Sequence, residues 1–360
     1  MIERIEIDGF KSFKDFALDV PPLLVVAGAN ASGKSNALDA LRLLSEAERD
    51  HNAFYRFNRG TGAQLLRQSG NGSRCQALRI NVSVDVADAS GSARTFEAGL
   101  RGGRQPAGSR DGGVHVVLFL SGTGRSAAER DLVSGELGSW LFLDPVCGLA
   151  RMRADGTDRG PLAPDASNLA AVLGRFSESD ALAELLLDVR AVIPALDDVV
   201  PVRDHRGDWD YDLRYRELGA MAPAVASDGT LRVLALLAAI HDPEYPGTVI
   251  VDEIENGLHP SRLATLLSRI ADRTRSDQER PGRQVIVTTH SPVVVSHMLA
   301  EDQDSVVFFD SVFQPEEVDG VRVGSVVTRA RGVRETGARG TYVTAVEVRN
   351  YLETVRRDTW

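Results

Sequence analysis

A glycine-rich segment with a single lysine carries the clearest chemistry in this sequence. Residues 28–35, GANASGKS, fit the pattern G-x-x-x-x-G-K-[ST] and stand between an apolar strand and a helix. The glycines let backbone N–H groups turn inward around a phosphate chain, and the helix N-terminus adds a positive dipole. Lys34 supplies a mobile charge for the β- and γ-phosphates, and Ser35 offers a hydroxyl to Mg²⁺. The segment therefore predicts a nucleoside triphosphate site.

An acidic pair follows a second apolar strand. Residues 248–251 form an apolar run that ends at Asp252 and Glu253. A carboxylate at a strand end beside a phosphate loop can hold Mg²⁺, so Asp252 is the predicted metal ligand together with Ser35. The next residue points elsewhere on leaving the strand, so Glu253 is predicted to orient and deprotonate the attacking water.

Two further segments could contact the terminal phosphate. His290 follows the apolar strand 285–289, and a neutral imidazole there could donate a hydrogen bond to the γ-phosphate and sense its loss. Ser227 and Gly229 open an apolar helix over residues 231–240, where N–H donors and a hydroxyl form an anion site. Simple helix capping explains Ser227 equally well, because serine is a favoured capping residue.

The elements that must position these residues follow from hydrophobic periodicity. Residues 23–27 are continuously apolar, as in a strand buried on both faces, and residues 37–44 carry the apolar face of a helix. Residues 78–86 alternate, which predicts a half-exposed strand of an antiparallel sheet. Residues 87–113 are rich in Gly, Ser and Arg and are predicted to form loops.

The middle of the chain differs in character from its ends. It has helical patches and an acidic polar segment around residues 197–212, so we predict a helical subdomain inserted into an α/β body. The predicted segments are an N-terminal lobe over 1–123, the helical insert over 124–225 and the rest of the α/β body over 226–360.

These four motifs, in this order, resemble the ATP-binding-cassette (ABC) heads of the SMC/RecF type. The phosphate loop with Asn30 and Asn36 is similar to that branch rather than to membrane transporters. Residues 252–260, DEIENGLHP, and 288–292, TTHSP, closely resemble small bacterial AAA-type ATPases related to the OLD family. The string SDGTLR, which begins at Ser227, resembles their signature motif. The resemblance implies an α/β ABC-ATPase head, a P-loop NTPase with a mixed sheet, an antiparallel β subdomain and a helical insert.

The resemblance also implies how nucleotide is held. In such heads two subunits enclose two ATP molecules, each between one subunit's phosphate loop and the other's signature helix. Ser227 and Gly229 would then contact the γ-phosphate across the dimer, and residues 254–260 would form the dimer-contact loop. SMC-type heads carry an arginine about twenty residues beyond the phosphate-loop lysine, and Arg56 is the hypothesised equivalent. The residues expected to bind ATP are Asn30, Gly33, Lys34, Ser35, Asn36, Arg56, Ser227 and Gly229.

Between Asp50 and Asp85 the chain has no acidic residue. The arginines of this basic segment are Arg56, Arg59, Arg67, Arg74 and Arg79. In a protein of net charge −10 this asymmetry could mark a path for DNA or RNA, with arginines on phosphates. A solvated loop, or arginines that serve ATP itself, are the alternatives.

The predicted function is a Mg²⁺-dependent ATPase, converting ATP to ADP and phosphate, that acts as a nucleotide-driven dimerisation switch. The OLD family carries a Toprim nuclease domain, for which the fifty or so residues after Phe309 are too few. Relatives of this size imply the ATPase component of a bacterial two-component phage-defence system with a separate effector protein. The alternative is a RecF-like DNA-binding ATPase of DNA repair. An ATP-dependent homodimer is expected, and a higher oligomer stays open.

Other function classes fit less well. A GTPase would need an N-K-x-D motif, and the only lysines are Lys11, Lys14 and Lys34. A small-molecule kinase would need neither the signature motif nor His290, and intact Glu253 disfavours a protein that merely holds ATP. No run of 18 apolar residues and no apolar signal-peptide core exist, so we expect a cytoplasmic protein without a membrane span.

Overall fold

The computed structural model describes residues 1–50, 62–87, 93–104, 114–121, 126–275, 283–318, 320–334 and 340–358. The chain divides into two compact units. Unit 1 is discontinuous and consists of Met1–Trp140 and Asp302–Trp360, whereas unit 2 is the continuous segment Leu141–Glu301.

Strands and helices occur in both units. The strands are β1 (Ile2–Asp8), β2 (Phe16–Asp19), β3 (Leu23–Ala27), β4 (Ala77–Ala87), β5 (Ala93–Arg104), β6 (Val114–Ser121), β7 (Leu141–Phe142), β8 (Leu196–Arg203), β9 (Trp209–Tyr215), β10 (Gly219–Met221), β11 (Val249–Val251), β12 (Val285–Thr289), β13 (Val306–Val318), β14 (Val321–Val333) and β15 (Tyr342–Val343). The helices are α1 (Lys34–Arg49), α2 (Ala127–Gly138), α3 (Cys147–Ala150), α4 (Leu169–Phe176), α5 (Ala181–Val192), α6 (Asp228–His241), α7 (Pro260–Thr274), α8 (Pro292–Glu301) and α9 (Ala345–Asp358).

Unit 1 contains two arrangements of strands. An antiparallel sheet runs in the order β2-β1-β4-β5-β6. Separately, β3 pairs in parallel with β13, and β13 forms a long antiparallel hairpin with β14. All five residues of β3 are buried, as its continuous apolar sequence predicts. The apolar face predicted for α1 is also buried, so this helix packs as expected.

Strand β5 lies in a segment that the sequence predicts to be loops, and that prediction is wrong. It pairs with β4 on one side and with β6 on the other. A side chain at Gly99 would put its Cβ within 2.6 Å of both the Asn81 Oδ1 and the Ile80 carbonyl oxygen. The glycine that suggests a loop is therefore required by close approach inside the sheet.

Unit 2 begins with parallel pairing. Strand β11 pairs in parallel with both β7 and β12, and all three residues of β11 and all five of β12 are buried. Helix α6 is buried over almost its whole length, and α7 buries the stripe Leu263, Leu266, Leu267 and Ile270 that the sequence predicts.

The region over residues 124–225 contains strands as well as helices. Strands β8, β9 and β10 form a three-stranded antiparallel sheet in the order β10-β9-β8. They occupy the acidic segment that the sequence predicts as part of a helical subdomain, because Val199, Tyr211 and Leu213 supply a buried face that alternates with half-buried polar residues. The three-segment division of the chain stays a prediction beside the two units. Among the described helices, none is long and apolar enough to cross a bilayer.

Candidate active site

The phosphate loop joins β3 to α1 in unit 1 and has a backbone shaped for an anion. Ala31 and Gly33 have φ angles of +62° and +101°, both in the left-handed region. Helix α1 starts with no side-chain cap and no acidic residue in its first turn. The N–H groups and the dipole at the start of a helix attract anions, so the loop fits a phosphate group.

Close packing leaves no room for a side chain at two glycines of the loop. A Cβ atom at Gly33 would lie 2.0 Å from the Thr328 Oγ1, and one at Gly28 would lie 2.5 Å from the Phe309 carbonyl oxygen. Neither position can hold a larger residue without displacing β13 or β14. The pattern that defines the motif is therefore required by packing as well as by φ.

The polar side chains of the loop are held close to it. Lys34 is only 6% exposed, and its Nζ donates to the carbonyl oxygens of Gly28 at 2.8 Å and Ala29 at 3.0 Å. The Asn36 Nδ2 donates to the Ser12 Oγ at 2.9 Å. Ser35 is half-buried at the start of α1, where its hydroxyl can serve a metal bound with the phosphates.

Asn30 is exposed and lines a cavity of about 350 Å³ in unit 1. Residues of β13, β14 and α9 complete the lining, among them Phe308, Arg331 and Tyr351. The side of the loop that carries Asn30 is therefore open, as a nucleotide contact requires.

The hairpin of β13 and β14 donates hydrogen bonds to two carbonyl groups of the phosphate loop. The Thr328 Oγ1 donates to the Ser32 carbonyl at 3.1 Å and lies 2.7 Å from the Ser12 Oγ, while the Ser311 Oγ donates to the Ala31 carbonyl at 3.0 Å. In a trans peptide the next N–H points opposite to the carbonyl. Holding the Ser32 carbonyl therefore turns the Gly33 N–H away from β14. Sequence analysis missed Thr328 and Ser311, because neither belongs to a local motif.

Thr328→Val should weaken ATP binding. Valine keeps the shape of threonine but removes the donor, so the Ser32 carbonyl loses its partner and the loop is less well ordered. We expect the Kd for ATP to rise about tenfold, from the loss of roughly 1.4 kcal/mol. Titration with a fluorescent ATP analogue measures this, and Thr95→Val is the control because Thr95 is exposed on β5. An unchanged Kd would show that the hydroxyl does not organise the loop.

In unit 2, the two acids that follow β11 are held by a threonine of β12. The Thr288 Oγ1 donates to the Asp252 Oδ1 at 2.5 Å and accepts the Glu253 N–H at 2.8 Å. Glu253 has a φ of +53°, an unusual value for a residue with a side chain. A left-handed residue here costs of order 1 kcal/mol and reverses the direction of the chain, so the two carboxylates leave the strand differently.

Glu253 lies within a small polar cluster. Its Oε2 accepts from the Asn256 Nδ2 at 2.9 Å, and its Oε1 lies 3.7 Å from the His290 Nδ1. Glu253 and His290 are both more than one-third exposed. The two predicted catalytic residues are therefore neighbours and are accessible to a ligand.

Glu255 positions His290, a role that the sequence does not predict. Its Oε1 accepts the His290 N–H at 2.7 Å and lies 3.1 Å from the His290 Nδ1, while its Oε2 accepts from the Thr289 Oγ1 at 2.8 Å. The carboxylate is only 10% exposed. The buried carboxylate thus holds the backbone of His290 and lies close to its ring, which positions the histidine after β12.

The signature segment begins α6. The Ser227 Oγ accepts the Thr230 N–H at 3.2 Å, so Ser227 caps the helix in the way that the capping alternative predicts. Gly229 lies against residue 257, because a Cβ there would be 2.8 Å from the Gly257 carbonyl oxygen. The predicted signature glycine and the predicted dimer-contact loop are thus packed together within unit 2.

The Asp228 carboxylate pairs with an arginine, while Ser227 caps the helix. The Arg151 Nη2 donates to the Asp228 Oδ1 at 2.6 Å and to the Ala226 carbonyl at 2.9 Å. The arginine balances a carboxylate that would otherwise repel a phosphate at this helix start.

Ser35 in unit 1 and Asp252 in unit 2 each carry an oxygen of the kind that magnesium binds. A hydroxyl and a carboxylate are hard oxygen donors, and Mg²⁺ commonly takes one or two protein oxygens with phosphates and waters. Within the described ranges no cluster of three or more His, Cys, Asp or Glu residues could hold a metal by itself. The role of Ser35 and Asp252 as metal ligands stays a prediction.

The basic segment is only partly described. Arg56 and Arg59 lie outside the described residues. Arg67 forms a buried ion pair with Glu316, and Arg74 donates to the carbonyl oxygens of residues 64 and 66. Arg79 is exposed on β4. Two of the three described arginines are therefore occupied within the protein, which reduces the support for a nucleic-acid path here.

The fold and the phosphate loop are those expected of a P-loop nucleotide-binding head, and comparison with known proteins shows which proteins the chain resembles. The family model described as "AAA domain, putative AbiEii toxin, Type IV TA system" matches residues 158–296, and the model "AAA ATPase domain" matches residues 1–95. No curated protein matches the chain.

Solved SMC head domains have the same fold. The Smc head from Pyrococcus yayanosii, with a coiled coil and joint, has a TM-score of 0.61 at 11% identity and covers 100% of this chain and 99% of its own. The head from Pyrococcus furiosus, bound to the C-terminal domain of ScpA, gives 0.57 at 14% identity with 99% of both chains covered. An SMC head bound to the C-winged helix domain of ScpA gives 0.59 at 15% identity, covering 91% of this chain and 97% of its own.

These matches confirm the predicted fold class. The chain is a mixed α/β protein with the fold of SMC ATPase heads. Together with the AAA family matches, this supports the resemblance to SMC/RecF-like ABC-type ATPases.

Proposed function

We propose that this ATPase is Mg²⁺-dependent and works as a nucleotide-driven dimerisation switch. ATP binding closes two protomers against each other, hydrolysis releases them, and a separate effector protein reads the state. Lys34 binds the β- and γ-phosphates, Ser35 and Asp252 hold Mg²⁺, and Glu253 deprotonates the attacking water.

The arrangement around Glu253 is the observation that carries this proposal. The backbone reversal at φ +53° separates its carboxylate from that of Asp252, and Asn256 and His290 flank it. One acid can then serve a metal while its neighbour acts on water. His290, held by Glu255, would donate to the γ-phosphate and lose that contact when phosphate leaves.

Dimer closure is supported by the surface of the signature segment. Ser227 and residues 256 and 257 are exposed in unit 2. Helix α6 begins at this surface, with its N–H groups near Ser227 and with Asp228 balanced by Arg151. Ser227 and Gly229 of one protomer would contact the γ-phosphate held by the phosphate loop of the other.

The biological setting that we propose is bacterial phage defence. The family model over residues 158–296 is described in terms of the AbiEii toxin and a Type IV toxin–antitoxin system. The related SMC heads bind ScpA, which supports a protein partner for this chain as well. We propose that the partner carries the effector activity and that the ATPase controls it.

The first test is the solution mass of the Glu253→Gln protein with and without Mg-ATP. Glutamine retains the hydrogen bond from Asn256 but cannot take a proton, so the ATP-bound state accumulates. We expect ATP to convert monomer to dimer, as measured by light scattering after size exclusion. Lys34→Ala in the same background should abolish the shift, because it removes the charge that binds the phosphates.

A protein that stays monomeric with ATP bound would contradict dimerisation as a property of this chain alone. A standing oligomer whose mass does not change would mean that ATP rearranges an existing assembly. Stimulation of hydrolysis by DNA would instead favour the RecF-like alternative.

A further inference from the structure

Arg283, just before β12 in unit 2, is a buried arginine. The residue is 9% exposed, and its Nη1 donates to the Tyr245 carbonyl at 2.7 Å. No carboxylate among the described residues forms an ion pair with it. Its burial lowers the pKa of the guanidinium, although Asp242 attracts the charge from a distance. Asp242 is itself paired with Arg175 at 2.6 Å. Burial of a charge without an ion-pair partner is unfavourable, so its retention needs a reason.

Arg283 forms part of the wall of a cavity of about 500 Å³ within unit 2. Three more arginines line the same cavity, namely Arg269, Arg273 and Arg275. The acidic residues of the lining are Glu184, Asp188 and Asp272. Among the described residues, four guanidinium groups and three carboxylates therefore line this cavity.

The carboxylates are already committed to other groups. Arg273 pairs with Glu184 at 3.0 Å and with Asp188 at 3.2 Å, and Arg275 pairs with Asp272 at 2.8 Å. Arg269 reaches Asp272 only at 3.7 Å. The Arg269 Nε is buried and has no hydrogen-bond partner. Arg269 and Arg283 are therefore the two arginines of the cavity without a close ion pair among the described residues.

A buried histidine in the wall does not change this balance. The His241 Nε2 lies 2.7 Å from the Asp188 Oδ2, and burial lowers the pKa of His241. The neutral ring adds no positive charge and occupies part of the hydrogen-bonding capacity of Asp188. Among the described residues that line the cavity, the positive charges exceed the negative charges by one.

We propose that this cavity is a binding site for a small phosphate-bearing molecule, with Arg283 and Arg269 as its principal ligands. Guanidinium forks match phosphate oxygens in pairs, and more than one fork can address a tetrahedral group. The volume exceeds what inorganic phosphate needs and lies in the range of about 300–1,000 Å³ typical of small-molecule sites. The ligand is therefore an organic phosphate, and its phosphate supplies the missing counter-charge.

The test uses inorganic phosphate on the full chain in a Lys34→Ala background. That substitution weakens the phosphate loop as a competing site, so phosphate binding then reports the arginine cavity. Isothermal titration with sodium phosphate, against sodium chloride at equal ionic strength, should show phosphate-specific binding. Arg283→Gln and Arg269→Gln, each added to this background, should weaken that binding at least about tenfold.

Arg214→Gln on β9 is the matched control, since Arg214 is exposed and lies outside the cavity. It should leave phosphate binding unchanged. If the Arg283 variant does not fold, the Arg269 variant decides, because Arg269 is partly exposed and is easier to replace. The proposal is overturned if the Lys34→Ala protein binds phosphate no better than chloride, or if the arginine variants bind as well as the control. Neither outcome affects the ATP-dependent mass shift.

Discussion

Glu253→Gln is expected to lower the turnover of ATP about a thousandfold, within the range of 10²–10⁴ that general-base catalysis contributes. The substitution keeps the size of the side chain and the hydrogen bond with the Asn256 Nδ2. It removes only the ability to accept a proton from water. Affinity for ATP should stay within about twofold of the wild-type value, because the substitution does not remove the contacts that bind ATP in its ground state.

The measurement is phosphate release at saturating ATP, combined with a direct titration of nucleotide. Glu217→Gln is a suitable control because Glu217 is exposed in unit 2 and distant in sequence from the cluster. It should hydrolyse ATP at the wild-type rate. Turnover of the Glu253 variant within tenfold of wild type would mean that another group deprotonates the water.

Arg67→Ala is expected to destabilise the protein by about 3 kcal/mol or more, the scale for breaking a buried ion pair. Arg67 donates through two nitrogens to the two oxygens of Glu316, at 3.0 and 2.9 Å. The side chains of Arg67 and Glu316 are 9% and 6% exposed. The Lys14 Nζ, 3.2 Å from Glu316, cannot replace a bidentate fork.

Arg4→Ala provides the comparison, because Arg4 forms an exposed ion pair with Asp19 in the same unit. Exposed pairs contribute about 0–1 kcal/mol, so this variant should be nearly neutral. Denaturant unfolding followed by circular dichroism measures both. Similar shifts for the two variants would show that burial of the Arg67 pair adds no stability.

The Arg67 effect should depend on pH. The hydrogen bond from Arg67 lowers the pKa of Glu316 well below its ordinary value of 4.5. A depressed folded-state pKa gives stability that is fully present above the unfolded value and is lost as the pH falls through the folded one. The difference in stability between wild type and Arg67→Ala should therefore be constant near neutral pH and shrink below about pH 4.5.

The parts of the fold that sequence predicts well are those where local pattern and burial agree. Strand β3, strand β12 and the apolar stripe of α7 have periodicities that match their observed burial. The phosphate loop is equally predictable, because local backbone angles and packing require its glycines.

Strands whose partners decide their structure are harder to predict. Strand β5 has a sequence rich in glycine and arginine, and it is ordered by pairing with β4 and β6. Strand β8 contains Asp197 and Asp198, which hide the apolar alternation. In both cases tertiary pairing overrides weak local propensity.

The candidate site shows the same limit. Its motif residues could be proposed from sequence, and their roles stay predictions. The residues that orient them could not be proposed, because Thr328 lies 296 positions from Ser32 and its hydroxyl acts only through the fold. Glu255 stands within a recognisable string, but only the structure shows that its carboxylate faces His290.

The hairpin that holds the phosphate loop has a consequence for synthesis of the protein. The loop is translated before unit 2, whereas Ser311 and Thr328, which hold its carbonyl groups, are translated after the whole of unit 2. A growing chain on the ribosome therefore carries the nucleotide motif long before it has the structure that shapes it. ATP can stabilise unit 1 as a ligand only after β14 has been synthesised. The N-terminal segment must remain without that help while unit 2 folds.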